Sequence, residues 1–507
     1  MFKIRQFLKN KLSFILILLL FLSCIFYVFS NTTNKKLIPD VQEIIKLTVS
    51  HSYYYGYTDE HVARDKDFYP PAYFFISALF CKILPGGFNF PMAVAANAFY
   101  FLLTIIAIYF ITFKICFQRS LALLAVVIFS FSPGIIYSIW HYLPEISVMA
   151  AVSLCFCFFV YSDYFKNRLA CWMLGISIAF GMLCKFSFIF YVFLPLIFGV
   201  YKAIIYKDKQ RIQNLMLVIV AVCLLSFWWY FFYFNFSKLI FGFHESLQME
   251  CTDIARGYQY FLIQNYQRVF SILKQMLSIP LLIVFISAAA VAIYKNNAKV
   301  LWLWVFPPLI TFIFIPTNCV FRYLLPILPV VIIVIIQSIY TISGKNRMKI
   351  IIFTMIISLL SGILAIPFYK KNIHNSQGEE FLRYILDDAK RNNVSVPLLG
   401  LDAFHDPLHL VQDLYFTFWF LKLRSPHLFN IYYKDIEMLL ASKKESIKFE
   451  DYYRNFLNCD YIVSCQRWEG WLKNYKFLAE VSPMIKDDID RLSYKRKYFL
   501  FKKVKNL

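Results

Sequence analysis

Long apolar runs joined by short basic connections fill the chain up to about residue 369, and beyond that point polar and apolar positions alternate at short spacing. Eleven runs qualify as membrane spans: 12–30, 91–113, 120–138, 146–162, 169–184, 187–206, 215–236, 279–294, 300–316, 322–342 and 350–368. Each comes near the ~17–25 residues that cover a ~30 Å hydrocarbon core. The first follows a basic stretch and lacks a small-residue cleavage site, so it reads as a retained helix and not as a removed signal peptide. A further run, 71–84, has only 14 residues and lies between Pro70-Pro71 and Pro85-Gly86-Gly87. That length suits a re-entrant or interfacial helix better than a crossing.

The basic residues set the topology. With the N-terminus inside and 71–84 not crossing, six short inside segments (3–11, 114–119, 166–168, 202–211, 295–299 and 345–349) hold 17 Lys and Arg. If 71–84 crossed, five of these six clusters would face outward, against the positive-inside rule. The expectation is eleven crossings, a cytoplasmic N-terminus and an extracytoplasmic C-terminus. Two outer loops follow, 31–90 and 237–278.

The tail has strand-like cores at 396–401 and 461–464, with helical patterns at 379–391 and 434–444. Its Lys-rich end reads as a solvated face or a strand. The expected fold is therefore an α-helical polytopic membrane domain over 1–369, with re-entrant or juxtamembrane helices besides the spans. A small extracytoplasmic α/β domain over 370–507 completes it.

Composition agrees with a membrane protein. Apolar residues make up 60% of the 507 and charged ones 16%, against ~45–50% and ~25% in soluble proteins. The net charge of +22 does not point to nucleic acid, because the excess lies in the membrane part. Residues 1–369 carry 29 Lys and Arg against 12 Asp and Glu, whereas 370–507 carry 23 against 18. The twelve cysteines fall mostly inside spans and behave as small hydrophobes. No Walker loop, GxGxxG or GxSxG is present, so nucleotide binding and serine hydrolysis lack support. No Cys/His pattern calls for zinc, and no cofactor is indicated.

The chemistry then has to come from charges at the outer membrane surface. Six of the twelve carboxylates before residue 369 lie in the first outer loop: Asp40, Glu43, Asp59, Glu60, Asp65 and Asp67. The next is Glu145, in His141-Tyr142-Leu143-Pro144-Glu145, at the outer mouth of the fourth span. An ionisable residue there is either functional or a solvated loop charge. Lys185 divides the apolar stretch 169–206 at an outer hairpin, as a snorkelling lysine or as a cation aimed at a lipid phosphate. Arg322 opens the tenth span beside Tyr323, as an interfacial anchor or as a two-bond grip on phosphate.

The order of these motifs resembles a known family. Pro39-Asp40 follows the first span, and about thirty residues on Tyr69-Pro70-Pro71 leads a short re-entrant helix. Then come Ser132-Pro133, Leu143-Pro144-Glu145, Gly181 to Lys185, and Arg322-Tyr323 with its prolines. This is similar to the GT-C glycosyltransferases that use polyprenyl-phosphate sugars, the protein O-mannosyltransferase and aminoarabinose transferase superfamily. The likeness covers roughly 12–345.

It implies a transferase that moves a sugar from a polyprenyl-phosphate donor to a glycan, lipid or protein hydroxyl at the extracytoplasmic face. Inversion and a bacterial cytoplasmic membrane are expected with it. The family's two catalytic acids fall on Asp40, as base, and on Glu145; its phosphate-holding cations fall on Lys185 and Arg322. Tyr323, His141 and Tyr69 join them as substrate-binding candidates, Tyr69 standing where some relatives have lysine. A divalent metal is known in some GT-C enzymes but is not required by these residues. A transporter would want midplane charges and a repeat, and a non-catalytic scaffold would leave the four co-located charges unexplained.

Overall fold

The computed structural model describes residues 15–27, 50, 70–84, 90–232, 263–314 and 321–371, with short breaks at 207, 296, 298 and 343–345. In the tail it describes 385–387, 390–391 and five strands. By contacts the chain separates into two units, Met1–Thr33 with Val49–Lys371, and Asn34–Thr48 with Asn372–Leu507.

Among the described residues the first unit is built of helices. Helix α1 (Ile15–Tyr27) is followed by α2 (Ala72–Ile83). At 12 residues α2 is too short to cross, and it leaves Phe75, Leu79 and Ile83 exposed along one face, as an interfacial helix would. Helix α3 (Phe90–Cys116) is a full span. The apolar run 120–138 is not one helix. It forms α4 (Arg119–Ser130) and, after a break, α5 (Pro133–Ser138), because Pro133 cannot continue the helix but suits a first helical position. Gly362 fits this break closely: a Cβ there would lie 2.6 Å from the Phe131 carbonyl oxygen.

Helices α6 (Pro144–Ser162) and α7 (Arg168–Cys184) form an antiparallel pair, the second capped by Asn167, whose side chain accepts from the Ala170 amide at 3.2 Å. A 3₁₀ turn (Phe186–Phe188) leads into α8 (Ile189–Ile205). Asp208 caps α9 (Lys209–Val222), which runs on through a π segment (Cys223–Phe227) to Phe232.

Part of the segment 237–278 is itself helical. Residues Ile263–Leu277 form α10, bent by 108° at Ser278 from α11 (Ile279–Tyr294). A π turn (Leu301–Val305) precedes α12 (Phe306–Phe314). The turns Phe321–Leu324 and Leu325–Ile327 lead into α13 (Leu328–Thr341), and α14 (Asn346–Lys371) ends the unit.

Each of the eleven apolar runs thus holds helix. Six helices among the described residues are long and apolar enough to cross a membrane unaided, or seven if the bent pair is one span. The protein is a multi-pass membrane protein. Helix α6 is buried nearly all round, against α3 and α7, and α13 is buried along most of its length. Helices α8, α9 and α14 keep exposed apolar faces, as lipid-facing members of a bundle do.

The second unit carries β1 (Leu398–Asp402), β2 (Asn430–Ile431), β3 (Tyr461–Ser464), β4 (Tyr475–Val481) and β5 (Tyr498–Lys503). They form one sheet in the order β2-β1-β3-β5-β4, with parallel pairs around β1 and antiparallel pairs around β5. The Lys-rich end supplies β5. Of the predicted tail helices, 379–391 is helical at 385–387 and 390–391, and 434–444 lies outside the described residues.

Candidate active site

Glu145 sits in the first turn of α6, behind Pro144, where the helix dipole favours a negative charge. The segment before it is held from a neighbouring helix. Asn97 of α3 donates from Nδ2 to the carbonyls of Ile139 at 2.9 Å and His141 at 2.7 Å. The Tyr73 hydroxyl of α2 donates to Asn97 Oδ1 at 3.3 Å. His141 stacks on Trp140 with ring centroids 4.1 Å apart and lies 4.5 Å from the Tyr137 ring. Tyr142 is buried beside Ser50, and burial pushes its phenol above the ordinary range, so it serves as a neutral hydroxyl. Glu145 itself is 2% exposed.

Lys185 reaches this carboxylate from a hairpin. It ends α7 in an extended conformation, its amide donating to the Gly181 carbonyl at 3.1 Å and its carbonyl accepting from the Phe188 amide at 3.0 Å. Phe188 is fully buried on Gly181, where a Cβ would come within 2.3 Å of the ring. Only glycine leaves room for that ring, and the ring closes the hairpin. The Lys185 ammonium then donates to Glu145 Oε1 at 2.7 Å.

Arg322 arrives from the turn that opens the α13 segment, with Nε 3.7 Å from the same oxygen. Tyr323 lies under both cations, its ring centroid 5.0 Å from Lys185 Nζ and 5.4 Å from the Arg322 guanidinium carbon. Its carbonyl accepts from the Tyr191 hydroxyl of α8 at 2.5 Å.

Residues 40 and 177 positions apart from Glu145 in sequence therefore meet at one carboxylate. Among the described residues two cations face this one carboxylate, in a site walled by aromatic rings. Such a cluster is built to receive an anion. His141 is placed close by in sequence but inside an aromatic stack. Asp40, Tyr69 and the Asp59-Glu60 pair lie outside the described residues. Asn97 and Tyr191 were not singled out from the sequence. A lone asparagine inside the apolar run 91–113 was the available signal for the first, since buried amides need partners. Among the described residues no group of three or more His, Cys, Asp or Glu is arranged for a metal.

Residues 69–231 match the dolichyl-phosphate-mannose-protein mannosyltransferase family. No curated protein sequence matches the chain. Among solved structures it is similar to ArnT from Cupriavidus metallidurans bound to undecaprenyl phosphate, at 10% identity, covering 95% of this chain and 97% of that one, with a TM-score of 0.54. The apo state of the same protein gives 12% identity, the same coverage and a TM-score of 0.56. Archaeal oligosaccharyltransferase AglB from Archaeoglobus fulgidus, in complex with an inhibitory peptide and a dolichol-phosphate, gives 11% identity and a TM-score of 0.53, covering 90% of this chain and 69% of that one. At such identities the likeness is one of fold.

Proposed function

We propose that this membrane glycosyltransferase, which carries the polyprenyl-phosphate-sugar-dependent mannosyltransferase family's region at 69–231, transfers its sugar to a hydroxyl at the extracytoplasmic face with inversion. The acceptor is a glycan, a lipid or a protein. The observation that carries the reading is the cluster of Lys185, Arg322 and Glu145 at one end of the central helix. The ArnT structure bound to undecaprenyl phosphate supports a lipid phosphate as the anion it receives.

The chemistry follows from charge. The donor's phosphate bears two roles, anchor and leaving group. The acceptor oxygen attacks the anomeric carbon while the bond from that carbon to the phosphate oxygen breaks. The acceptor proton passes to a carboxylate, assigned to Asp40, and the electron pair leaves with the polyprenyl phosphate. Lys185 and Arg322 stabilise the charge that develops there. General-base action of this kind contributes ~10²–10⁴ in rate. Glu145 acts as a positioning residue: it holds both cations at the site before the phosphate arrives. A single displacement inverts the anomeric centre.

The topology belongs to the same reading. Eleven crossings, with the N-terminus cytoplasmic, put this cluster outside and the 17 basic residues inside. Residues 1–369 form the catalytic membrane domain and 370–507 the extracytoplasmic one. Purified protein given a labelled polyprenyl-phosphate sugar and membrane acceptors should release polyprenyl phosphate in step with sugar transfer. Labelled sugar retained on the lipid across a panel of donors and acceptors would leave the reading without support.

A further inference from the structure

A second chemical site lies at the other end of α6. Glu145 and Asp163 are 18 residues apart, or ~27 Å along a helix, about the thickness of the hydrocarbon core. There the chain makes an unusual turn: Asp163, Tyr164 and Phe165 have φ of 48°, 52° and 68°. Left-handed backbone costs a non-glycine residue ~1–2 kcal/mol, so three in a row need external support. Two buried side chains of α9 supply it. Arg211 donates from Nη1 to the carbonyls of Asp163 and Tyr164, and Asn214 donates to those of Phe165 at 2.8 Å and Lys166 at 3.1 Å.

The turn borders a cavity of about 300 Å³. Its walls are Phe156, Phe159, Tyr164 and Trp304, with the Phe156 and Trp304 rings 4.5 Å apart. Lys299 stands at the rim, its ammonium 4.6 Å from the Tyr164 ring centroid and 4.8 Å from that of Phe198. The Asp163 carboxylate is also at the rim, but it is 62% exposed and lies 3.8 Å from Arg211 Nη2, an arginine it shares with Asp208 at 3.5 Å.

Gln337 is the feature that points to a ligand. It lies on α13 one turn before the helix ends, lines the cavity and is only 8% exposed. Among the described residues no hydrogen bond reaches its side chain. Its amide offers a donor and an acceptor to an occupant of this cavity.

We infer that this cavity binds a phosphate-bearing diacyl lipid of the leaflet opposite to the candidate active site. Lys299 takes the phosphate, the Gln337 amide donates to an ester carbonyl, and the aromatic walls cover the first chain carbons. The two separate polar groups on the cavity wall decide between lipids. A polyprenyl phosphate has a phosphate for Lys299 but only hydrocarbon below it, and would leave Gln337 unbonded. The inference stands apart from the transfer reaction, since none of these residues belongs to the cluster around Glu145.

The test uses the purified full chain in detergent, with lipid retention followed by native mass spectrometry. Phosphatidylglycerol, diacylglycerol and undecaprenyl phosphate are titrated separately. Wild type should retain phosphatidylglycerol well and diacylglycerol poorly. Lys299→Ala should weaken phosphatidylglycerol binding about tenfold, the equivalent of one charge-assisted hydrogen bond. Gln337→Leu should weaken phosphatidylglycerol binding and leave undecaprenyl phosphate unchanged. Unfolding temperatures in lipid-free detergent check both variants, and if Gln337→Leu fails to fold, Lys299→Ala decides alone. Unchanged phosphatidylglycerol binding in Lys299→Ala overturns the site. So does undecaprenyl phosphate displacing phosphatidylglycerol from wild type one for one, which would assign the cavity to the donor lipid.

Discussion

Glu145→Gln keeps the side chain's shape and removes the negative charge between Lys185 and Arg322. Breaking a fully buried ion pair from one side costs ~3–5 kcal/mol, because a desolvated charge loses its partner. Here the two cations keep 24% and 16% of their side-chain exposure, so water recovers part of the loss. About 2–3 kcal/mol of destabilisation is expected, which for a chain of this length corresponds to a fall of ~2–4 °C in unfolding temperature. The effect should depend on ligand. Undecaprenyl phosphate brings an anion to cations whose charge Glu145 no longer offsets, so it should raise the unfolding temperature of Glu145→Gln more than that of wild type. Tryptophan fluorescence during heating, in detergent with and without the lipid, measures both. A variant as stable as wild type, or equal lipid shifts in the two proteins, would refute the view that Glu145 holds the cations in place.

Arg322→Ala should raise KM for the donor and lower kcat in steady-state transfer assays, and Arg322→Lys should restore only part because the fork is lost; equal activity in all three proteins would reduce Arg322 to a membrane anchor. Asp40→Asn should lower transfer by ~10²-fold or more while donor binding persists, and Asp59→Asn should cost much less; the opposite ranking would move the base to Asp59. Gly181→Ala should push Phe188 aside, since a Cβ there would lie 2.3–2.5 Å from three ring atoms. Donor KM should then rise through misplacement of Lys185, and unchanged KM would show that the hairpin absorbs the methyl group. A cysteine placed at the exposed Phe117 should react with an impermeant maleimide only from the cytoplasmic side, and labelling from outside would invert the topology.

The helices were legible because a bilayer imposes a simple rule, a long apolar run for each span. Residues 71–84 hold a helix of only 12 residues, Ala72–Ile83, as short as the apolar run between the prolines suggests. What the apolar pattern hid were the breaks. Run 120–138 looks continuous in hydropathy, yet Pro133 splits it, and Gly362 of a distant helix fits against the gap. Helix α10 was taken as loop because it is too polar to read as a span, although it packs against the α13 segment and α5. Lys185 and Arg322 were visible as rare charges in apolar surroundings. Their convergence on Glu145 was not, because it depends on the Gly181 hairpin and on Asn97 holding the loop before Glu145. The first is a close packing of Phe188 on Gly181 within the hairpin, and the second joins residues more than forty positions apart. In the tail, 461–464 stood out as an apolar strand and the Lys-rich end that supplies β5 was open between a solvated face and a strand, whereas β4, with one Lys and one Glu in seven residues, was not singled out.

The most direct measurement is an experimental structure of the full chain with undecaprenyl phosphate bound. The phosphate should lie within hydrogen-bond reach of both Lys185 Nζ and the Arg322 guanidinium, at the end of α6 that carries Glu145. A phosphate bound elsewhere, with Lys185 still closed on Glu145 at 2.7 Å, would contradict the assignment of this cluster as the donor site.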